Sequence, residues 1–569
     1  MKNSLFFVTL PLLLLGISLF GTKDTPPLQK GNSIGCAPPQ RENFDTAANG
    51  KYIVSLPGWG HYTYRISTDN DSAQYYFNQG LNMYYSYHLR EATASFKEAA
   101  RFDPTCAMAY WGQALSLGPG YNFAHSYSMP KSVPAVLELM NQHIEKASGK
   151  EKQLIAVMNR RYSSTRHLNT PYAEGLKELL LLYPDDVDIK ALYIDAVMLI
   201  HPWDFWFNDG RPKEWTPEVV NLCKELLKAS PEHPGALHYY IHLTEASRNP
   251  EVALPNAEAL KQLFPGVAHM VHMSSHEYER NGLYAQGVEA NDLADKNLVY
   301  YDSLADKLSL ASHSSHYFAV QTFCALSGGM YTTAKRTAQD CRNSVSPASS
   351  STYDQYLYML PELMLVRLGK WEEILKDSLR PDESWPYASL LHNFARGLAF
   401  VYTGKTDSAQ QQLLQLQQKA TDPVLKVRRV PFNSTLQGAG IAEGILHAAI
   451  LFSKKENNAA ISSLTDAIRI EDSLTYTEPK DWMIPARQFL GAYLLQLGKP
   501  AMAEKIYRED LVWNPGNGWS LLGLYQSLAA QRKKKNRATY QAKYQQAFAH
   551  ADEMPPGSVY MYRSFSTFK

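Results

Sequence analysis

The chain has 569 residues, more than one compact core usually organises, so we expect either several domains or an elongated repeat array. Its charges nearly balance, with 56 lysines and arginines against 55 acidic residues and a net charge of +1. This balance argues against a protein whose overall field attracts nucleic acid or an anionic membrane surface.

The N-terminal segment predicts export. Lys2 precedes an apolar run at residues 5–20, and small or polar residues follow, as in a signal sequence. The run is short for a spanning helix, but the poor cleavage site at residues 18–21 leaves an uncleaved anchor open. We therefore expect a signal at 1–21, a periplasmic or otherwise extracytoplasmic location, and no other membrane contact. Residues 22–72, rich in Pro, Gly, Asn and Ser, predict a loosely structured linker.

A helical repeat begins at Ala73. Small side chains let two antiparallel helices approach, and a proline ends the second helix. The anchors with the spacing of the tetratricopeptide signature are Tyr76, Gly80, Met83, Ala92, Phe96, Ala99 and Pro104. The chain therefore resembles the tetratricopeptide repeat (TPR) family. The resemblance implies an all-α fold, an α-α superhelix or TPR solenoid.

Further copies of the repeat follow the same anchors. Prolines that stop helices are expected at 184, 231, 265 and 515. Together these copies predict roughly ten or more helix pairs over residues 73–552, followed by a C-terminal tail or cap at 553–569. Two aromatic, Gly- and Pro-rich insertions interrupt the period, at 117–134 and at 201–218, which contains Trp203 and Trp206. Such insertions are either functional loops or aromatic plugs that bury the array's own surface.

Two histidine pairs occupy matching places in neighbouring repeats. His238 and His242 are four residues apart, and 34 residues later His272 and His276 repeat that spacing. Residues four apart share a helix face, and 34 is the TPR period. We therefore expect both pairs on equivalent faces of neighbouring helices.

The TPR resemblance also implies which face this is. In the family, the second, fifth, ninth and twelfth residues of the first helix usually point into the concave groove. Counted from residues 234 and 268, these positions hold both histidine pairs and three further residues, His269, Glu245 and Glu279.

Imidazoles from two packed helices, about 8–10 Å apart, can reach one ion. Nitrogen ligands suit zinc, copper or iron rather than calcium or magnesium. The candidate metal ligands are His238, His242, His269, His272 and His276, and the candidate catalytic residues are Glu245 and Glu279. The alternative is that these histidines hydrogen-bond to one another, to Tyr239 or Tyr240, or to a peptide.

Longer motifs extend the resemblance. HPGALHYYIHLTEAS, FPGVAHMVHMSSHEYERNGLY and SHSSHYF are similar to segments of a group of long exported bacterial TPR proteins with a histidine-rich HMPSHIY-like motif and a PHNxHF segment. Ser274 stands where that group has Pro, while the histidines match. The resemblance implies a bacterial source, the fold and the location of the site, but no activity.

Other residues are candidates for ligand binding. His313 and His316 are expected at the start of the next repeat helix, whereas His392 and His447 are expected in the core. The further candidates are Trp203, Trp206, Tyr476, Glu478, Trp482 and Arg487. For the last group an alternative is that Glu478 or Asp481 caps the following helix and Arg487 pairs with a carboxylate.

The absence of several motifs narrows the function. The sequence has no phosphate-binding loop, GxSxG elbow or HExxH, which disfavours a nucleotide cofactor, a serine hydrolase and a zincin protease. Cys324 and Cys341 would either form a disulfide or remain buried thiols. Three hypotheses follow: a protein that binds a peptide, protein or small ligand in its groove, a metal-dependent enzyme, or a scaffold for protein partners.

Overall fold

The computed structural model describes residues 46, 50–163, 168–304, 315–428 and 432–561. These residues form 25 α-helices and no β-strand beyond two isolated bridges. The predicted all-α fold is confirmed. Consecutive helices pack as antiparallel pairs that stack into a solenoid.

The first nine helices are α1 (Asp71–Tyr85), α2 (Leu89–Phe102), α3 (Ala107–Ser116), α4 (Val133–Gln142), α5 (Gly149–Arg161), α6 (Asn169–Leu182), α7 (Val187–Ile200), α8 (Thr216–Ala229) and α9 (Pro234–Thr244). The middle of the chain forms α10 (Leu254–Leu263), α11 (Ala268–Arg280), α12 (Tyr284–Leu304), α13 (Ser315–Ser327), α14 (Tyr331–Ser344), α15 (Thr352–Tyr358), α16 (Leu360–Arg367) and α17 (Trp371–Lys376). The last part forms α18 (Pro386–Tyr402), α19 (Thr406–Lys419), α20 (Thr435–Ser453), α21 (Asn457–Asp472), α22 (Ala486–Gln496), α23 (Pro500–Trp513), α24 (Gly518–Ala530) and α25 (Arg537–Ala547).

Phe96 shows how the predicted anchors hold the first repeat together. Its ring, on α2, fills the space beside Gly80 of α1 and Gly112 of α3. A Cβ atom on Gly80 would lie 2.7 Å from the ring, and one on Gly112 only 2.3 Å. Larger residues would therefore push the helices apart. The predicted helix stops are also confirmed, because α6, α8, α10 and α23 each end two residues before their proline.

The solenoid closes on itself through the turn that follows α11. The Arg280 guanidinium donates to the Trp513 carbonyl at 3.0 Å, and the Gly516 amide donates to the Arg280 carbonyl at 3.2 Å. Gly282, with a φ of +75°, lies against Gly516 so closely that a Cβ atom would be 2.2 Å from its carbonyl oxygen. Residues 471–516 therefore cover the groove beside α9 and α11, and the predicted concave face becomes a closed interior.

Both ends of the described chain pack against the helical array, the N-terminal end more closely than expected. Residues 50–70, which we assigned to a loose linker, have no regular secondary structure but are anchored along the array. The Leu56 amide donates to Gln79 at 2.9 Å and the Ser67 amide to Glu151 at 2.8 Å. At the other end, Ser558 bonds Tyr507 at 2.6 Å, as expected of a cap. The predicted signal lies outside the described residues.

Two further features concern the core. Cys324 and Cys341 are buried free thiols, so the alternative without a disulfide holds. Among the described helices, one (Thr435–Ser453) is long and apolar enough to cross a membrane, and half of its most apolar stretch is buried inside the array.

Candidate metal centre

Two neighbouring helices, α9 and α11, carry most of the site. They begin at Pro234 and Ala268, the two residues from which the repeat positions were counted. Pro234 suits the first helical position because it lacks an N–H, and the preceding His233 caps the helix by accepting from the Ala236 amide at 3.2 Å. All the histidines of both helices are buried.

Three of these imidazoles form the first histidine group, made of His238, His242 and His269. Each offers a nitrogen within 4.8 Å of the others. The Nε2 atoms of His238 and His269 are only 3.0 Å apart. Two nitrogens bound to one tetrahedral zinc ion would be about 3.3 Å apart, given bond lengths of about 2.0–2.1 Å. The group is therefore close to the geometry that one shared ion requires.

The second histidine group consists of His272, His276 and His316, again with nitrogens within 4.8 Å of one another. The His272 ring centroid lies 4.7 Å from that of His276 and 4.9 Å from that of His316. His316 is the second residue of α13, as expected, whereas His313 lies outside the described residues. The two predicted pairs thus lie in adjacent groups, each completed by a third histidine, rather than around one point.

Hydrogen bonds fix the inward nitrogen of the first group. His238 donates from Nδ1 to the Tyr85 carbonyl at 2.7 Å, and His242 donates from Nδ1 to the Glu245 carboxylate at 3.0 Å. Each ring therefore presents the lone pair of Nε2 to the interior. Histidines that ligate metals usually have such an outer hydrogen bond to a carbonyl or carboxylate.

In the second group, Asn291 of α12 fixes the His272 ring by a hydrogen bond to its Nδ1 atom. Its amide nitrogen donates to the Gly287 carbonyl at 2.8 Å, which leaves its oxygen to accept from Nδ1 of His272 at 2.6 Å. The Nε2 atom of His272 then carries the lone pair, and it has no hydrogen-bond partner among the described residues.

Four of the histidines have lowered pKa values, which favour the neutral imidazole. Burial, opposed by the bond to Asn291, lowers the pKa of His272 to about 3. Burial and the neighbouring imidazoles likewise place the pKa of His238, His269 and His276 well below the usual value. The neutral imidazole is the form that binds metal ions.

Glu478 lies between the two groups. Its Oε2 is 3.2 Å from Nε2 of His276, and its Oε1 is 3.9 Å from Nδ1 of His242. Together with His242 and Glu245 it forms a third set of closely spaced ligand atoms. Burial, followed by the adjacent Glu245 carboxylate, raises the pKa of Glu478.

The alternative role of Glu478 or Asp481 as a cap of α22 is wrong. The Ala486 amide at the start of that helix instead donates to Glu471 at 2.9 Å. Arg487 does pair with a carboxylate, that of Asp472, at 2.7 Å.

Glu279, the other candidate catalytic residue, is buried at the end of α11. Burial raises its pKa to about 7, and the cations of Lys480 and Arg280 oppose this rise. It belongs to none of the sets of clustered ligand atoms found among the described residues. Glu245 is therefore the better placed of the two predicted acids.

Both insertions cover the centre. Trp203 of the second insertion meets the His242 ring edge-on at 5.7 Å, and Tyr121 of the first lies 5.1 Å from it. Trp206 donates to the Leu243 carbonyl at 2.8 Å. The insertions thus bury the array's surface, and the second one also forms one wall of a cleft.

This cleft contains about 860 Å³ of atom-free space, part of it open to solvent. The predicted ligand-binding residues that line it are Trp203, Trp206, Tyr476, Trp482 and Arg487. The Tyr476 hydroxyl lies 3.5 Å from Oε2 of Glu245, so the cleft reaches the edge of the metal-ligand set.

Sequence reasoning missed several residues that position the centre. Nε2 of His88 accepts from the His269 amide at 3.2 Å, and its Nδ1 lies 3.1 Å from Glu91. Tyr85 and Asn291 were missed as well. None of them belongs to a periodic histidine pattern, and His88 is 181 residues from its partner. His392 bonds Glu362 in the core at 2.9 Å, as expected, but His447 is exposed rather than buried.

Fold and site together define an all-α solenoid protein with a buried histidine and carboxylate centre. No family model and no curated protein matches the chain.

Among solved structures, a human IFIT1 dimer with m7Gppp-AAAA is similar over 87% of this chain and 97% of that chain, with 12% identity and a TM-score of 0.32. Yeast Tom70 is similar over 84% and 92%, with 12% identity and a TM-score of 0.27. The Cut9–Hcn1 complex is similar over 84% and 76%, with 10% identity and a TM-score of 0.26. These distant likenesses carry no argument about function.

Proposed function

We propose that this chain is an exported metalloprotein that binds a first-row transition ion through its buried histidines. The observation that carries the proposal is the first histidine group, in which outer hydrogen bonds fix two rings and two Nε2 atoms lie 3.0 Å apart. Imidazole nitrogens with a nearby carboxylate suit zinc, copper or iron, whereas calcium and magnesium require oxygen ligands.

Hydrogen bonding alone accounts poorly for the same side chains. A proton between His269 and His238 would satisfy one pair of nitrogens. Nε2 of His242, Nε2 of His272 and Nδ1 of His276 would still lack hydrogen-bond partners among the described residues. Each buried polar atom without a partner costs about 1–3 kcal/mol. Metal ions supply those partners, which supports the proposal.

The cleft gives the centre a place for a ligand. Aromatic walls from Trp203, Trp206 and Trp482 provide an apolar surface, and Tyr476 connects this surface to Glu245. We infer that a peptide, a protein segment or a small molecule binds there, beside the ion. Proteins that bind ligands commonly use such apolar clefts with a few polar groups.

His238→Ala tests the metal site. We expect it to weaken zinc or copper binding by more than about tenfold, because loss of a mere outer-shell partner already costs about 10–100-fold. The measurement is metal analysis and competition titration of protein purified without a histidine tag. His392→Ala is the matched control, since that buried histidine pairs with Glu362 outside the centre.

Untagged protein without stoichiometric metal, or equal losses in both variants, would contradict the metal site. Export is tested separately, by fractionation of cells that express the full chain. Protein found only in the cytoplasm would contradict that part of the proposal.

A further inference from the structure

One helix supplies ligands to both histidine groups. His269 of α11 belongs to the first group, and His272 and His276 of the same helix belong to the second. His269 and His272 are three residues apart and so share a helix face. Their ring centroids are 6.0 Å apart. The two sets of nitrogens are therefore neighbouring parts of one buried region.

The second group has the features that identified the first. Asn291 fixes the His272 ring through Nδ1, as the Tyr85 carbonyl fixes the His238 ring. All three of its histidines are buried, and neither Nε2 of His272 nor Nδ1 of His276 has a hydrogen-bond partner among the described residues. A single ion in the first group would leave these nitrogens without a ligand.

Glu478 is placed to join the groups. One carboxylate oxygen lies 3.2 Å from Nε2 of His276 in the second group, and the other lies 3.9 Å from the first group's His242 ring, measured to its outer nitrogen Nδ1. It comes from the segment between α21 and α22, which enters the groove only because the solenoid closes. A carboxylate can bridge two ions, and ions in two-metal sites lie about 3.5–4 Å apart.

We propose that the two histidine groups form one dinuclear centre, in which each group holds a first-row transition ion and the Glu478 carboxylate bridges the two ions. This inference rests on the proposed function, since it requires that the histidines bind metal. It adds the number of ions, the ligands of the second ion and the role of Glu478.

Copper(II) titration followed by electron paramagnetic resonance tests the inference on the full chain. We expect two ions per chain and a spectrum in which the two spins are coupled. His272→Ala should reduce the content from two ions to one, and His392→Ala should keep two. X-ray absorption of the unmodified protein provides a test without any variant, because a second metal should scatter within about 4 Å of the first.

Glu478→Gln tests the bridge. We expect the coupled signal to disappear, with or without loss of one ion, while Glu362→Gln, which changes a buried carboxylate outside the centre, should keep it. A coupled signal that persists in Glu478→Gln would overturn the bridge.

The outcomes also separate this inference from the function on which it rests. The dinuclear centre would be overturned if the chain bound one ion that His272→Ala leaves in place, or if it bound two uncoupled ions. In either case the proposal that the chain binds metal would stand. No bound metal in the unmodified protein would overturn both.

Discussion

Replacing Asn291 by leucine tests whether His272 is held as a metal ligand. Leucine has a similar size but cannot accept the hydrogen bond from Nδ1, which is now 2.6 Å long. The His272 ring would then lose its fixed tautomer and orientation. Loss of such an outer partner weakens metal binding by about 10–100-fold, or about 1.4–2.8 kcal/mol. We expect this loss for the second equivalent of zinc and little change for the first.

A competition titration with a chromophoric chelator measures both equivalents. Asn291→Asp keeps an acceptor oxygen and should retain most of the affinity. Asn82→Leu is the control. Like Asn291, Asn82 is buried and donates to the carbonyl four residues earlier, here that of Asn78, but it bonds none of the histidines. If Asn291→Leu binds the second ion as well as the unmodified protein does, or loses no more than Asn82→Leu, the outer hydrogen bond does not serve metal binding.

Three further predictions concern acid stability, closure and access. An unfolded histidine protonates near pH 6.5, whereas the pKa of His272 in the fold is about 3. The free energy of unfolding of metal-free protein should therefore fall by up to about 1.4 kcal/mol per pH unit for this group as the pH drops below 6.5, as measured by urea unfolding. Gly282→Ala should destabilise the chain by at least about 1 kcal/mol more than Gly498→Ala. Both glycines have a positive φ, but only at Gly282 would the added Cβ atom collide with the backbone of another segment. Equal urea midpoints for the two variants would contradict the closure contact. Trp203→Ala should make a chelator remove metal severalfold faster, measured by stopped flow, whereas Trp385→Ala, outside the cleft, should not.

Local features of the sequence predicted most of the fold. Proline stops, small residues at helix contacts and the four-residue histidine spacing all act within one helix or between sequence neighbours, so their consequences can be counted along the chain. This is why the starts of α9 and α11 and the burial of Phe96 agree with the structure. It is also why His316 was expected near the histidine pairs.

The arrangement of the centre depends on contacts that no local pattern contains. Glu478 reaches His242 across more than two hundred residues, and His88 reaches His269 across 181. The Glu478 contact also depends on closure of the solenoid through Arg280 and Trp513. The TPR resemblance implied a concave groove and left closure of the array undecided, so the sequence supported one shared site but not two adjoining groups with a carboxylate between them.

Closure of the solenoid also supports the proposed metal site, because it separates the histidines from water. In an open groove, each imidazole nitrogen would bond to solvent, and six clustered histidines would be no burden on stability. Once residues 471–516 cover the groove, those nitrogens lose water and lie too close together for all of them to share protons. A cation among these neutral imidazoles and the Glu478 carboxylate would replace the partners that water supplies in an open groove. On this proposal, the contacts that close the solenoid and the centre inside it depend on each other.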